Sequence, residues 1–289
     1  MIDIMIPFWG EPEYLYRAVR SVQNQTSESW RLTVVDDGYP EDVKPFFHNL
    51  NDRRISYMRN STNLGITKNF QRCLDLTFAD YTVFMGCDDE LLPGYVEKIE
   101  KCFTRNPGID MVQPGVEIID EHDVNHSPLV DGIKKLLRPR RGTSDLHGES
   151  LAKSLLRGNW LYWPSLCFRT ASLKLVRFPE NYSVLLDLSL IFDLICSGSR
   201  LEVIQDVVFR YRRHGESLSS STLFDGVRFE EETNFFKTQA ARMRDLGWRG
   251  AEREARLHLT SRAHSVMILP AALRRDPHAV SWLVKHALT

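Results

Sequence analysis

Four short apolar runs, each ending at a turn and each followed by a helical stretch, constrain this chain more than any other feature. Ile2-Asp3-Ile4-Met5-Ile6 is rich in β-branched residues and is expected to stop at Pro7. A helix with Leu15, Ala18, Val19 and Val22 at 3–4 spacing follows. Leu32-Thr33-Val34-Val35 is closed by Asp36-Asp37-Gly38, the pattern of a buried strand running into a turn. Arg54 to Met58 predicts a third strand, and Asn63-Leu64-Gly65 opens a helix expected to bury Phe70, Leu74 and Phe78. Tyr81 to Met85 predicts a fourth strand, ended by Gly86-Cys87-Asp88-Asp89. Pro93 marks the first turn of the next helix, with Val96, Ile99 and Phe103 as its core stripe. Such alternation predicts an α/β fold with a mostly parallel sheet flanked by helices.

Beyond residue 115 the pattern is less regular. Residues 120–147 are polar and contain Lys134-Lys135 and Arg138-Pro139-Arg140-Arg141, which predicts a loop. It reads either as a solvated basic loop or as a flap over phosphates. A helix over Glu149–Arg157, the aromatic cluster Trp160, Tyr162 and Trp163, a strand over Ser165–Phe168 and a helix over Leu185–Cys196 follow. Leu201–Tyr211 reads as one or two strands, and the chain turns helical from Phe224 onward.

Composition narrows the setting. At 289 residues with 43% hydrophobic and 26% charged residues, the chain buries enough surface to fold without disulfides or metal. Its five cysteines include no C-x-x-C pair, which speaks against a disulfide framework or a zinc site. A net charge of -1 gives no global reason to expect nucleic acid as a partner. The sequence has no run of about 18 apolar residues and no signal-peptide pattern at Met1, so a cytoplasmic protein is expected.

Ligands of open parallel sheets bind beyond the carboxyl ends of the strands. Here the first predicted strand runs into Pro7-Phe8-Trp9-Gly10-Glu11, the second ends in Asp36-Asp37 and the fourth in Asp88-Asp89. Carboxylate pairs gathered on one sheet edge repel unless something compensates them. A divalent cation held with a diphosphate is the simplest compensation, because Mg²⁺ and Mn²⁺ take one or two carboxylates plus substrate phosphates. The plainer reading is that strand-end aspartates cap the following turns.

Taken in order, Ile6-Pro7-Phe8-Trp9, Ser21-Val22-x-x-Gln25-Thr26, Val34 to Gly38, Asn63-Leu64-Gly65 and Asp88-Asp89-x-x-x-Pro93 resemble the family 2 glycosyltransferases. The stretch Asn63 to Phe70 is similar to a subgroup with an N-L-G-x-x-x-N-[WF] signature, and Asp187 and Tyr211 to Ser219 extend the resemblance to about residue 220. It implies an inverting, nucleotide-sugar-dependent enzyme with the GT-A fold over residues 1–222. Residues 1–115 would form the nucleotide-binding half and 116–222 the acceptor half, with a helical extension over 223–289.

The resemblance further implies roles. Pro7, Phe8, Trp9, Glu11, Asp36, Asp37, Asn63, Lys68 and Asp88 would bind the nucleotide sugar, Asp89 and His214 the Mn²⁺ or Mg²⁺ ion, and Asp187 would be the general base. Trp160, Tyr162 and Trp163 would border the acceptor, and equally suit a core. The donor would be a UDP-, dTDP- or GDP-sugar, and the acceptor a hydroxyl-bearing glycan or lipid-linked glycan in envelope polysaccharide or glycolipid assembly. The helical extension would pack on the core, form a homodimer contact, or give peripheral contact with the inner face of the cell membrane.

Two departures bear on this. The acid often found two positions before Asp88 is Gly86 here, and the one before the general base is Leu186. They leave open a non-catalytic protein that retains the fold. A sugar nucleotidyltransferase is a second alternative, though Pro7 to Glu11 lacks its Gly-rich basic loop.

Overall fold

The computed structural model describes residues 1–126, 128–139, 145–213, 227–275 and 277–288. Within them a nine-stranded mixed sheet runs through the molecule. Its first half is built from β1 (Ile2–Phe8), β2 (Trp30–Asp36), β3 (Ile55–Arg59) and β4 (Tyr81–Phe84), paired in parallel in the order β3-β2-β1-β4. Helices α1 (Pro12–Gln23), α2 (Lys44–Leu50) and α3 (Ile66–Asp75) connect these strands. The second half adds β5 (Glu90–Leu91), β6 (Met111–Ile119), β7 (Leu146–His147), β8 (Cys167–Arg169) and the long β9 (Arg200–Arg212). There β8 joins β4 and β6 antiparallel, while β6 and β9 run parallel. Helices α4 (Tyr95–Arg105), α5 (Leu129–Leu137), α6 (Gly148–Arg157), α7 (Thr170–Leu173) and α8 (Leu186–Cys196) complete this half. Four helices follow: α9 (Val227–Asp245), α10 (Arg249–Leu257), α11 (Leu259–Arg275) and α12 (Pro277–Leu288).

The sheet separates two apolar layers. One holds Ile4, Ile6, Leu15, Val19 and Val34 with Val96 and Phe103. The other packs Phe84, Phe168, Trp163 and the α8 leucines against Phe235 and Met243 of α9. Helices α9 and α10 therefore belong to the main core, whereas α11 and α12 close a small cluster of their own with Phe229, Ala272 and Leu283. Residue 222, the expected domain boundary, lies outside the described residues.

Several expectations are corrected. The first strand continues through Pro7, which pairs with Val35 on one side. Pairing with β4 ends at Met5, so no ladder donor is demanded of Pro7 on the other. Phe78 lies beyond α3 and is 73% exposed, with the Arg31 guanidinium over its ring. The expected loop at 120–147 contains α5, whose inward face is polar and therefore hides the usual apolar stripe.

Candidate active site

The strand-end aspartates occupy two different environments. Asp36 is fully buried at the end of β2. Its carboxylate accepts from Tyr39 N at 2.8 Å and Tyr57 Oη at 2.5 Å, with Arg59 3.4 Å away. Asp37 accepts from Asn60 Nδ2 (2.7 Å), Leu64 N and Gly65 N (both 2.9 Å). It thereby fixes the Asn63-Leu64-Gly65 turn, where Gly65 takes φ 82°, a conformation that favours glycine. Asn69 closes the network by donating to Val35 O at 3.0 Å and accepting from Asn60. The N-L-G-x-x-x-N spacing thus has a mechanical reason: it ties the start of α3 to the end of β2.

Asp88 and Asp89 follow β4. Leu91 N donates to Ser21 Oγ at 3.0 Å, while Gln25 donates to Leu92 O and accepts from Val96 N. The early Ser21/Gln25 motif therefore braces the chain just after the acid pair. Asp89 is buried; its Oδ1 accepts from Arg212 N at 3.0 Å, while Oδ2 has no hydrogen-bond partner among the described residues. Burial, and then the Asp88 charge, push the Asp89 carboxyl well above the usual range. Both carboxylates lean over Gly86. A Cβ there would sit 2.4 Å from Asp89 Oδ2 and 2.8 Å from Asp88 Oδ1. The acid missing at position 86 would occupy the space that these two oxygens fill.

That arrangement suits a divalent cation, since a buried oxygen without a donor beside a second carboxylate is a cation's ligand set in part. Among the described residues no group of three or more His, Cys, Asp or Glu is placed to hold a metal. Phosphate oxygens and water would have to complete the shell. His214, expected near the ion, lies outside the described residues.

Sequence reasoning missed Arg212, whose guanidinium is almost wholly buried. It donates to the carbonyl oxygens of Asp88 and Asp120 (2.9 Å each), to Glu90 at 2.9 Å and to Asp123. The side chain thus clamps the acid loop onto β9. Only its place in the Tyr211-Arg212-Arg213 run signals it in the sequence. Next to it, Arg213 makes a two-pronged pair with buried Asp131 of α5 at 2.6 and 3.0 Å. Tyr162 Oη also donates to Asp131, at 2.7 Å.

Asp187 sits in the first turn of α8, partly buried, with Oδ1 accepting from Leu188 N at 2.6 Å. Burial raises its carboxyl, while Lys134 and Arg228 pull it back down. Lys134 lies 4.3 Å over the Tyr162 ring and donates to Leu161 O; burial pushes its ammonium down to about 8. Between the acid pair and Lys134 lies a row of aromatic rings: Tyr211 feels Asp89, Asp88 and Asp131, packs on Tyr162, and Tyr162 carries Lys134.

Glu231 of α9 was also missed. One carboxylate oxygen accepts from Ser183 N and Oγ at 2.8 and 2.7 Å, the other from Val184 N and Leu185 N at 2.8 and 3.2 Å. The turn delivering Asp187 is therefore held from a helix beyond the sheet. No local signal in the sequence announces a contact across 47 positions.

Other expected residues divide. Trp9 is half exposed and meets Tyr39 edge-on at 5.5 Å rather than packing on α1. Pro7 is half-buried in β1, whereas Glu11, Asn63 and Lys68 are exposed around the strand ends. Phe8 is fully buried against Tyr39, so its ring offers no face to a nucleotide. Trp160, Tyr162 and Trp163 are buried too: Trp160 donates to Ser154 Oγ, and Trp163 stacks on Phe84 at 5.7 Å. Their rings build the core under the site and leave no open face for an acceptor sugar.

The family model described as Glycosyl transferase family 2 matches residues 3–161. An uncharacterized glycosyltransferase of Methanocaldococcus jannaschii is 22% identical over 218 residues, covering 73% of this chain and 70% of its own. The Campylobacter jejuni GalNAc(5)-diNAcBac-PP-undecaprenol beta-1,3-glucosyltransferase is 31% identical over 96 residues, 32% of this chain and 31% of that enzyme. Among solved structures, residues 1–349 of S. aureus TarS superpose with a TM-score of 0.70 at 13% identity, covering 99% of this chain and 80% of that one. The same TarS segment in complex with UDP-GlcNAc gives 0.65 at 16% identity, covering 81% and 65%. At such identities the likeness speaks to the fold alone, and that fold is the GT-A arrangement of sheet and helices.

Proposed function

The chain belongs to glycosyl transferase family 2, enzymes that take their sugar from nucleotide sugars, and we propose that it transfers this sugar with inversion to a hydroxyl of a glycan acceptor. One observation carries the reading: two carboxylates lean over Gly86 at the strand ends, one with a buried oxygen that no donor among the described residues meets. Asp89, with Asp88, would hold a Mn²⁺ or Mg²⁺ ion. Such an ion supplies positive charge to a departing diphosphate. Trp9 and Tyr39 rim the nucleoside, and Asp36 and Asp37 shape its pocket through the turns that they hold. Asp187 accepts the proton of the attacking hydroxyl as its oxygen bonds to C1 and the C1–O bond to the diphosphate breaks. Displacement from the opposite face inverts the anomeric centre. Membership in an enzyme family, together with the steric account of Gly86, disfavours a non-catalytic relative.

The named Campylobacter relative supports a lipid-linked glycan as acceptor, and the TarS complex makes a UDP-sugar the first donor to test. Residues 1–222 would form the transferase domain and 223–289 a helical extension that anchors the base turn through Glu231.

Thermal unfolding with UDP, GDP, dTDP and CDP, each with and without Mn²⁺, tests the donor side. A nucleotide at about 100 times its Kd stabilises by ~2.7 kcal/mol, a shift of several degrees. One nucleotide is expected to raise the Tm only with Mn²⁺, and Asp89→Ala to abolish that rise. Absence of any shift with all four nucleotides overturns the proposal.

A further inference from the structure

Helix α5 is built the wrong way round for a helix on a water-facing surface. Two of its three charged residues point inward: Asp131 pairs with Arg213 and Tyr162, and Lys134 donates to Leu161 O. Just past its end, Arg138 donates to Pro114 O at 3.0 Å and Ile204 O at 2.7 Å. All its large apolar residues but Leu137 face out. Leu129, Val130, Ile133 and Leu136 are 66%, 40%, 40% and 77% exposed, at the spacing of one helical face. Water-facing helices place these residue classes oppositely, and an exposed apolar face marks an interaction site.

We propose that the outer face of α5 seats the enzyme in the interfacial layer of an anionic phospholipid membrane. Two observations select this occupant. First, the exposed charge on the helix is Lys135, on the flank beyond Leu136, while its one carboxylate, Asp131, is buried, so what the helix shows to solvent is apolar groups and one positive charge. Interfacial helices have that composition, and anionic headgroups complement it. Second, the face is too small for a second copy of the chain. A nine-residue helix about 14 Å long and ~10 Å wide presents on the order of 200 Å², against about 800 Å² per partner in a stable interface.

The arrangement deepens the proposed function, and it rests on that reading for one point only: the acceptor. Lys134 of α5 lies near enough for its charge to act on Asp187, so α5 is on the side of the molecule where the base is proposed, which suits an acceptor presented from lipid.

Flotation of the full chain with phosphatidylcholine vesicles, with and without phosphatidylglycerol, provides the test. Binding is expected with phosphatidylglycerol, weaker in high salt, and reduced about tenfold or more in Leu129→Gln/Ile133→Gln/Leu136→Gln. These positions are exposed, so the triple variant should keep the wild-type Tm. Leu273→Gln, an equally exposed leucine on α11, should float like wild type. The inference is overturned if wild type does not float, or if the triple variant floats as well as wild type. It is equally overturned if the triple variant instead dissolves a dimer seen in solution. Vesicle binding is read without nucleotide, and the nucleotide Tm shift without vesicles, so failure of one leaves the other standing.

Discussion

Two aspartate pairs end two parallel strands of one sheet, and in the sequence they look alike. Asp36 and Asp37 are surrounded by donors: a tyrosine hydroxyl, an asparagine amide and three backbone N–H groups reach them. Asp88 and Asp89 lean over a glycine, and one buried Asp89 oxygen meets no donor among the described residues. A satisfied buried carboxylate is part of the scaffold, whereas an unsatisfied one costs stability until a ligand arrives. The comparison teaches that a motif's letters do not say whether its charge serves the fold or the ligand; the count of donors does.

The largest expected effect breaks the comparison from the ligand side. Asp89→Asn should lower turnover about 10³-fold, while the unliganded Tm stays level or rises, because a buried negative charge beside Asp88 is removed. Kinetics read as nucleoside diphosphate release, paired with thermal unfolding, checks both halves. A lowered Tm would place Asp89 with the scaffold pair.

Next, Asp187→Asn should cost about 10²-fold or more in turnover and leave the nucleotide-induced Tm shift intact. That sharpens the contrast by adding a third carboxylate whose task lies on the acceptor side.

The scaffold pair is then tested directly. Asp37→Ala removes the acceptor of Leu64 N–H and one of two acceptors of Asn60 Nδ2 and of Gly65 N–H, at a cost of about 1–3 kcal/mol in stability. Denaturant unfolding should show this loss, and Asp89→Asn should not. Equal losses in the two variants would erase the distinction.

The smallest effect is on pH dependence. Asp187 must be ionised to take a proton, and burial raises its pKa above the ordinary 3.8. Turnover should therefore fall as pH drops through a value above 3.8. Lys134 is among the charges that pull Asp187 back down. In Lys134→Gln the acid limb should therefore move up, because that cation is gone. A pH–rate profile of the two proteins decides it.

The parallel half of the sheet was legible because its strands are runs of Ile, Val and Leu bounded by Pro, Gly and Asp. The order of the strand-end motifs led to the family and the fold. Helix α5 was not legible, because its buried face is Asp131 and Lys134 and its exposed face is leucine, which inverts the stripe that periodicity detects. Phe78 misled for a related reason: an arginine covers its ring in place of the core. Trp160, Tyr162 and Trp163 carried two equally good readings in the sequence, and burial favours packing; Phe8, expected at the nucleotide, is packed away as well. Arg212 and Glu231 act across the fold, and only the folded chain shows which distant groups they meet.

The Glu231 tie has a consequence in time. Chains emerge from the ribosome from the N-terminus, and domains assemble as their parts appear. Every strand of the sheet, both aspartate pairs and Asp187 itself precede Glu231 in the chain. A growing chain thus has both aspartate pairs before it has the carboxylate that holds the Ser183–Leu185 turn. A product stopped short of α9 would lack that tie together with Phe235 and Met243 of the main core, so the turn in front of Asp187 is, in effect, finished only after translation has passed the sheet.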